Sequence, residues 1–79
     1  MEQMLARIAR ALVDYPDQVR VNVLEDERVV TLELQVSPDD MGKVIGRQGR
    51  IVKAIRTVVN AAAVKENKRV LVEVVPWTA

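Results

Sequence analysis

The residues best placed to do chemistry in this chain are Gly46-Arg47-Gln48-Gly49, where two of the three glycines bracket two long polar side chains. Glycine tolerates positive φ and lets another backbone come close, so the tetrad describes a tight, exposed turn. Around it, Met41 to Lys65 holds Lys43, Arg47, Arg50, Lys53, Arg56 and Lys65 and no acid, a charge of +6 in a chain whose formal net charge is +1. Met1 to Asp40 holds four basic and nine acidic side chains, and the segment after Lys65 is neutral. A cationic surface at a helix start, with backbone N–H groups and the positive end of the helix dipole, suits the phosphates of a polyanion.

Other chemistries are thinly supplied. The chain has no cysteine and no histidine, which removes disulfides, thiol chemistry, the usual metal sites and imidazole acid/base catalysis. The paired acids Asp39 and Asp40 are the remaining enzyme candidates, but both are explained as charges in the first turn of a helix, so the reading is non-enzymatic, with no metal and no cofactor. Tyr15 and Trp77 are the only aromatic residues, too few for a platform on which several bases stack. No G-x-x-x-x-G-K-[ST] phosphate loop occurs, and a dinucleotide fingerprint fails because the third glycine, Gly42, stands at the wrong offset.

The elements that must position the tetrad follow from periodicity. Met4, Leu5, Ile8, Ala9 and Leu12 share one side of an amphipathic helix from Glu2 to Val13, which Pro16 closes. Val19, Val21 and Val23 alternate with Arg20, Asn22 and Leu24, predicting a strand from about Gln18. After Glu25-Asp26-Glu27, Val30, Leu32, Leu34 and Val36 alternate with Thr31, Glu33 and Gln35, predicting a second strand that forms a hairpin with the first and has one wet face. Ser37-Pro38-Asp39-Asp40 carries a cap hydroxyl, a proline at the first helical position and first-turn acids, predicting a short helix to about Val44.

Beyond the tetrad, Arg50 to about Glu66 is the longest helix, with Arg50, Lys53, Thr57 and Asn60 in one polar stripe and Arg56 off it, available to a carboxylate. Val70 to Val75 is a final strand expected to be largely covered, and Pro76 to Ala79 a short tail. The order α-β-β-α-α-β describes a single α+β domain over residues 1–79, a three-stranded mixed sheet with the helices on one face.

Val44-Ile45-Gly46-Arg47-Gln48-Gly49-Arg50-Ile51-Val52-Lys53-Ala54-Ile55 resembles the KH signature, V-I-G-x-x-G followed by aliphatic residues at fixed offsets. The element order is similar to the type II KH domain, and the size and the Ser37 to Lys43 lead-in resemble the bacterial KhpA family of small RNA-binding proteins. The resemblance implies single-stranded RNA held by its sugar-phosphate backbone at Gly46, Arg47, Gln48 and Gly49. It also implies that Lys43, Val44, Ile45, Arg50 and Lys53 line the groove beside that turn. A KhpB-like KH partner, an RNA chaperone role, and effects on cell shape and cell wall biogenesis are implied by the family alone.

Arg50 and Lys53 read either as phosphate contacts or as a solvated helix face, and the acids Glu25 to Glu27 would repel phosphate if they bordered the groove. Ala61-Ala62-Ala63-Val64 offers apolar surface on nearly every side of its helix end, which suggests association as a homodimer or with a partner. With no leader or long apolar run in the sequence, the expected location is the cytoplasm, away from membranes. A rival reading is a protein-interaction or assembly module in which RNA contact is incidental.

Overall fold

The computed structural model describes residues 1–77. Helix α1 (Glu2–Leu12) buries Leu5, Ala6 and Ala9 and half-buries Met1, Met4 and Ile8, a stripe set by spacings of three and four. Pro16 ends the helical run as its chemistry requires, with Tyr15 at φ −118°. It also opens a 3-10 turn over Pro16–Gln18, so the first strand starts two residues later than alternation suggests. That strand is β1 (Arg20–Glu25), joined to β2 (Val29–Val36) by a turn closed around Asp26. The Asp26 carboxylate accepts from the N–H groups of Arg28 and Val29, each at 2.8 Å, while its own N–H donates to the Val29 carbonyl at 3.0 Å.

Two further helices, α2 (Met41–Ile45) and α3 (Arg50–Lys65), lead to β3 (Arg69–Pro76). The sheet order is β1-β2-β3, with β1 antiparallel and β3 parallel to β2. Val30, Leu32, Leu34 and Val36 point to the helical side and are buried with Val70 and Val72 of β3. From the other side, Val52, Ile55, Val59 and Ala63 of α3 close the core.

The second face of the sheet is open, and this corrects the expectation for β3. Its residues alternate, Val70 and Val72 buried but Arg69, Leu71 and Glu73 exposed, Leu71 to 44%. All three helices lie on one side, so an apolar run interrupted only by Glu73 does not mean burial on both faces here. The tail is shorter than expected as well. Pro76 ends β3, and the Trp77 N–H donates to the Val36 carbonyl at 2.7 Å, carrying the parallel pairing one residue further. The Trp77 ring sits under the Arg20 guanidinium, 4.5 Å from its centroid. Thr78 and Ala79, the rest of that tail, lie outside the described residues.

Helix α3 ends in a Schellman arrangement. The Lys68 N–H donates to the Ala63 carbonyl and the Asn67 N–H to the Val64 carbonyl, both at 3.1 Å, with Asn67 at φ +58°. This turn drops the chain directly into β3 beside the Asp26 hairpin, and Lys68 reaches Glu25 at 4.0 Å.

Candidate nucleic-acid interface

The site begins where β2 stops. Ser37 is buried and its hydroxyl accepts from the Asp39 N–H at 3.3 Å, as a cap residue does, so the chain turns sharply through Pro38–Asp40 into α2. Asp40 departs from its expected role. Its side chain is fully buried, and its two oxygens accept from the N–H groups of Asp14 (3.1 Å) and Tyr15 (3.0 Å), at the end of α1. Burial alone would raise this carboxyl's pKa, but the two amides and the nearby Lys43 ammonium outweigh it and hold it below the ordinary 3.8. Asp40 is thus a tie between α1 and α2, and Asp39 alone remains an exposed first-turn acid.

In α2, Val44 points inward and is fully buried, so its side chain belongs to the core and offers no surface to a ligand. Ile45 is half-buried beside the turn. Lys43 points outward, but not into open water. Its ammonium is bonded to the Asp14 carboxylate and lies 3.6 Å from Asp40, and the Asp14 bond is the main reason its pKa rises above the ordinary 10.5. The cationic stretch is therefore not free of counter-charge at this position. Asp14 stands 29 residues away in sequence, and only the packing of α1 against α2 brings it near.

The tetrad forms a turn that three positive-φ residues make possible. Gly46 has φ +76° and ψ 172°, Gln48 φ +58° and ψ 24°, and Gly49 φ +74° and ψ 16°. The conformation of Gly46 is one that glycine alone adopts readily, and a Cβ there would lie 2.6 Å from Cγ1 of Ile51. Gly46 closes α2 by donating to the Gly42 carbonyl at 2.9 Å, and Gly49 closes the turn by donating to the Gly46 carbonyl at 3.1 Å. The element immediately before the tetrad is a helix, not a strand, and Arg47 and Gln48 are both exposed. The turn therefore holds two long polar side chains off the body on a backbone with little freedom.

Helix α3 starts immediately after. Gly49 at its cap position brings no side chain, the first turn holds no acid, and the Arg50 N–H donates back to the Arg47 carbonyl, so the positive end of a 16-residue helix stands behind the turn without a side-chain cap. Arg50 and Lys53 are exposed on this helix, and among the described residues Arg47, Arg50 and Lys53 form no ion pair. Thr57 and Asn60 continue the exposed stripe, with the Thr57 hydroxyl donating back to the Lys53 carbonyl at 3.0 Å. Arg56 has no carboxylate partner there; its Nε donates to the Val72 carbonyl on the free edge of β3 at 3.1 Å. A carbonyl on an open strand edge accepts from a guanidinium just as a carboxylate oxygen does.

The acidic turn Glu25-Asp26-Glu27 lies against Asn67 and Lys68, just beyond the C-terminal end of α3. A helix of 16 residues is about 24 Å long, while charges are screened over about 8 Å at physiological salt. The acids are thus too distant to oppose an anion at the tetrad.

Comparison with known proteins agrees with this geometry. The family model described as KhpA/KhpB, KH domain, matches residues 2–74. Two curated relatives named RNA-binding protein KhpA, from Clostridium acetobutylicum and Clostridium perfringens, are 63% and 60% identical over 75 residues, covering 95% of this chain and 100% of each relative. In solved structures the fold is similar to Aquifex aeolicus Era, with TM-score 0.69 and 17% identity over 95% of this chain. It is also similar to Era in complex with MgGDPNP and nucleotides of 16S ribosomal RNA, with TM-score 0.63 and 19% identity over 95% of this chain. The chain spans only 29% and 30% of those two Era chains, and at such identities the likeness is one of fold. With the V-I-G-x-x-G turn between two helices, the mixed sheet behind it and full-length relatives in agreement, the chain belongs to the KhpA/KhpB family of KH domains.

Proposed function

We propose that this protein is a non-enzymatic RNA-binding module that grips the sugar-phosphate backbone of single-stranded RNA at Gly46 to Gly49. The observation that carries the reading is the glycine-framed turn. It projects Arg47 and Gln48 into solvent at a helix start without a side-chain cap, followed on α3 by Arg50 and Lys53, which form no ion pair among the described residues. The names of the relatives support the same class of ligand. Phosphates would meet Arg47, Arg50, Lys53 and the first amides of α3, with Lys43 and Ile45 flanking them and Val44 acting only through packing. Contacts of this kind read a strand's shape and charge rather than its bases, so sequence preference is slight and affinity falls with salt.

Replacing Arg47 and Gln48 together by aspartate should weaken RNA retention at least about tenfold in a mobility-shift assay, because two negative charges enter where phosphates sit. The far-ultraviolet circular dichroism should not change, since both side chains are exposed. Undiminished binding by the folded double variant would remove the grip from the tetrad.

The finer role follows the family. The protein would act in the cytoplasm as an RNA chaperone beside a KhpB-like partner, in processes that maintain cell shape and cell wall biogenesis. Association has a surface to use. On α3, Val58 is 48% and Val64 75% exposed, and Ala61 beside them is exposed too, so apolar side chains face water along the second half of the helix. A second copy packed there would give a homodimer, and sedimentation should then show a mass that rises toward twice the monomer with concentration. A monomer mass at every concentration would leave that surface to a different protein. The same exposed valines favour the rival reading, an assembly module with incidental RNA contact; a folded tetrad variant that kept partner binding and cellular function would support it.

A further inference from the structure

Among the described residues, Lys43 is the cation flanking the tetrad that is already held in ion pairs. Two carboxylates hold it, and they are of different kinds. Asp40 is fully buried and fixed by two backbone amides, so it stays beside the ammonium whatever happens outside. The Asp14 side chain is exposed, 68% accessible, and nothing among the described residues holds its carboxylate except Lys43. An ammonium carries three donors and no acceptor, so an anion approaching it from solvent must share it with Asp14 or displace that group. One lysine between two aspartates leaves this corner of the surface with net charge −1, although the sequence counts it as part of a +6 stretch.

We propose that Asp14 is a resident counter-ion that competes with RNA phosphate for Lys43 and so sets the affinity of the tetrad for single-stranded RNA. This rests on the proposed RNA-binding role. In the free protein Asp14 occupies the lysine; in the complex a phosphate oxygen takes its place, and Asp14 swings into water. Lys43 then contributes the difference between two similar ion pairs, much less than a free lysine would. Asp40, at the N-cap of α2, keeps the ammonium anchored beside that helix throughout. Asp14 is an affinity-limiting residue and touches no ligand itself.

The test compares Asp14→Asn, Lys43→Met and the double variant with the wild-type chain, titrating a fluorescein-labelled mixed-sequence single-stranded RNA by anisotropy over a range of salt. Asp14→Asn leaves the fold intact, because the N–H of residue 14, not its side chain, is the group bonded to Asp40. At low salt it should bind about three- to tenfold more tightly than wild type, with the slope of log K against log salt steeper by about 0.7, one phosphate on a single strand. In the Lys43→Met background the same substitution should do little, since the competition no longer exists.

Affinity unchanged or weakened by Asp14→Asn overturns the proposal, as does an equal gain with and without Lys43, which would mark a general charge effect. The Arg47→Asp/Gln48→Asp protein is run alongside. If wild type binds no better than that variant, the RNA reading itself fails and this proposal with it; tetrad-dependent binding that ignores Asp14 overturns this proposal alone.

Discussion

Gly46→Ala should cost about 3 kcal/mol of stability, while Gly49→Ala in the same tetrad should cost about 1 kcal/mol. The two glycines share a positive φ and differ in everything else. At Gly46 the pair φ +76°, ψ 172° lies in a region that side chains avoid, and a Cβ would stand 2.6 Å from Cγ1, 2.9 Å from Cβ and 2.9 Å from Cδ1 of Ile51. Because the nearest contacts include the branch point of Ile51, rotation of a flexible tip cannot relieve them; either α3 shifts or the turn opens. At Gly49 the backbone is ordinary left-handed helix, φ +74° and ψ 16°, and a Cβ would meet only Val52 Cγ1 at 3.8 Å, a normal contact.

For a small domain whose total stability is on the order of 5 kcal/mol, the first change removes more than half of it. Thermal melts should show a fall of about 15 °C for Gly46→Ala and about 5 °C for Gly49→Ala. The folded fraction of Gly46→Ala should also retain less RNA, because the turn that presents Arg47 and Gln48 has been displaced. Equal melting temperatures for the two variants would mean that the turn relaxes freely, and the rigidity ascribed to it would be wrong.

Asp40→Ala is expected to be as damaging from a different direction. The buried carboxylate is the acceptor for the Asp14 and Tyr15 amides, so its removal strands two N–H groups inside the protein and leaves Lys43 with Asp14 alone. A drop of about 10 °C or more in melting temperature should follow. Asp40→Asn keeps the shape and one acceptor oxygen and should lose roughly half as much. It should also change the response to acid. A carboxyl held below 3.8 in the folded protein contributes stability that is complete above that value and lost as the pH falls through 3.8 toward the depressed folded value.

Asp26, held low by the amides of Arg28 and Val29, contributes in the same window. Denaturant titrations between neutral pH and about pH 3 should therefore show a shallower acid decline for Asp40→Asn and for Asp26→Asn than for wild type. An unaltered acid limb in both would show that these carboxylates are not what the acid disrupts.

Much of the fold was legible because local rules and packing agree. Alternation in Val30 to Val36, the Ser37-Pro38 helix start and the glycines of the tetrad each name their element without help from the rest of the chain. The misreadings share one cause: the property depended on what lies opposite. The run Val70 to Val75 is apolar but for Glu73, yet Leu71 and Glu73 face water because no helix covers the second side of the sheet. Arg56 was available to an acid and instead bonds a strand carbonyl that only the folded edge presents.

The tetrad's exposure was legible from its composition, but its exact form was not. Gln48, at φ +58°, has no residue-type signal for a left-handed conformation and takes it because Gly46 and Gly49 on either side leave that bend as the way to close the turn. The Asp14–Lys43–Asp40 cluster was invisible for a related reason: Asp40 had a sufficient local explanation as a first-turn helix charge, and Asp14 lies 29 residues from Lys43 in sequence.

The remote acidic hairpin is less hostile to a polyanion than its three acids suggest. Around the far end of α3, Glu25, Asp26, Glu27 and Glu66 stand among Arg28, Lys65, Lys68 and Arg69, four charges of each sign. Opposite charges interleaved so closely cancel at any distance, so this end neither attracts nor turns away a strand of phosphates. An approaching polyanion is therefore guided by the uncompensated cations at the opposite end of the helix alone.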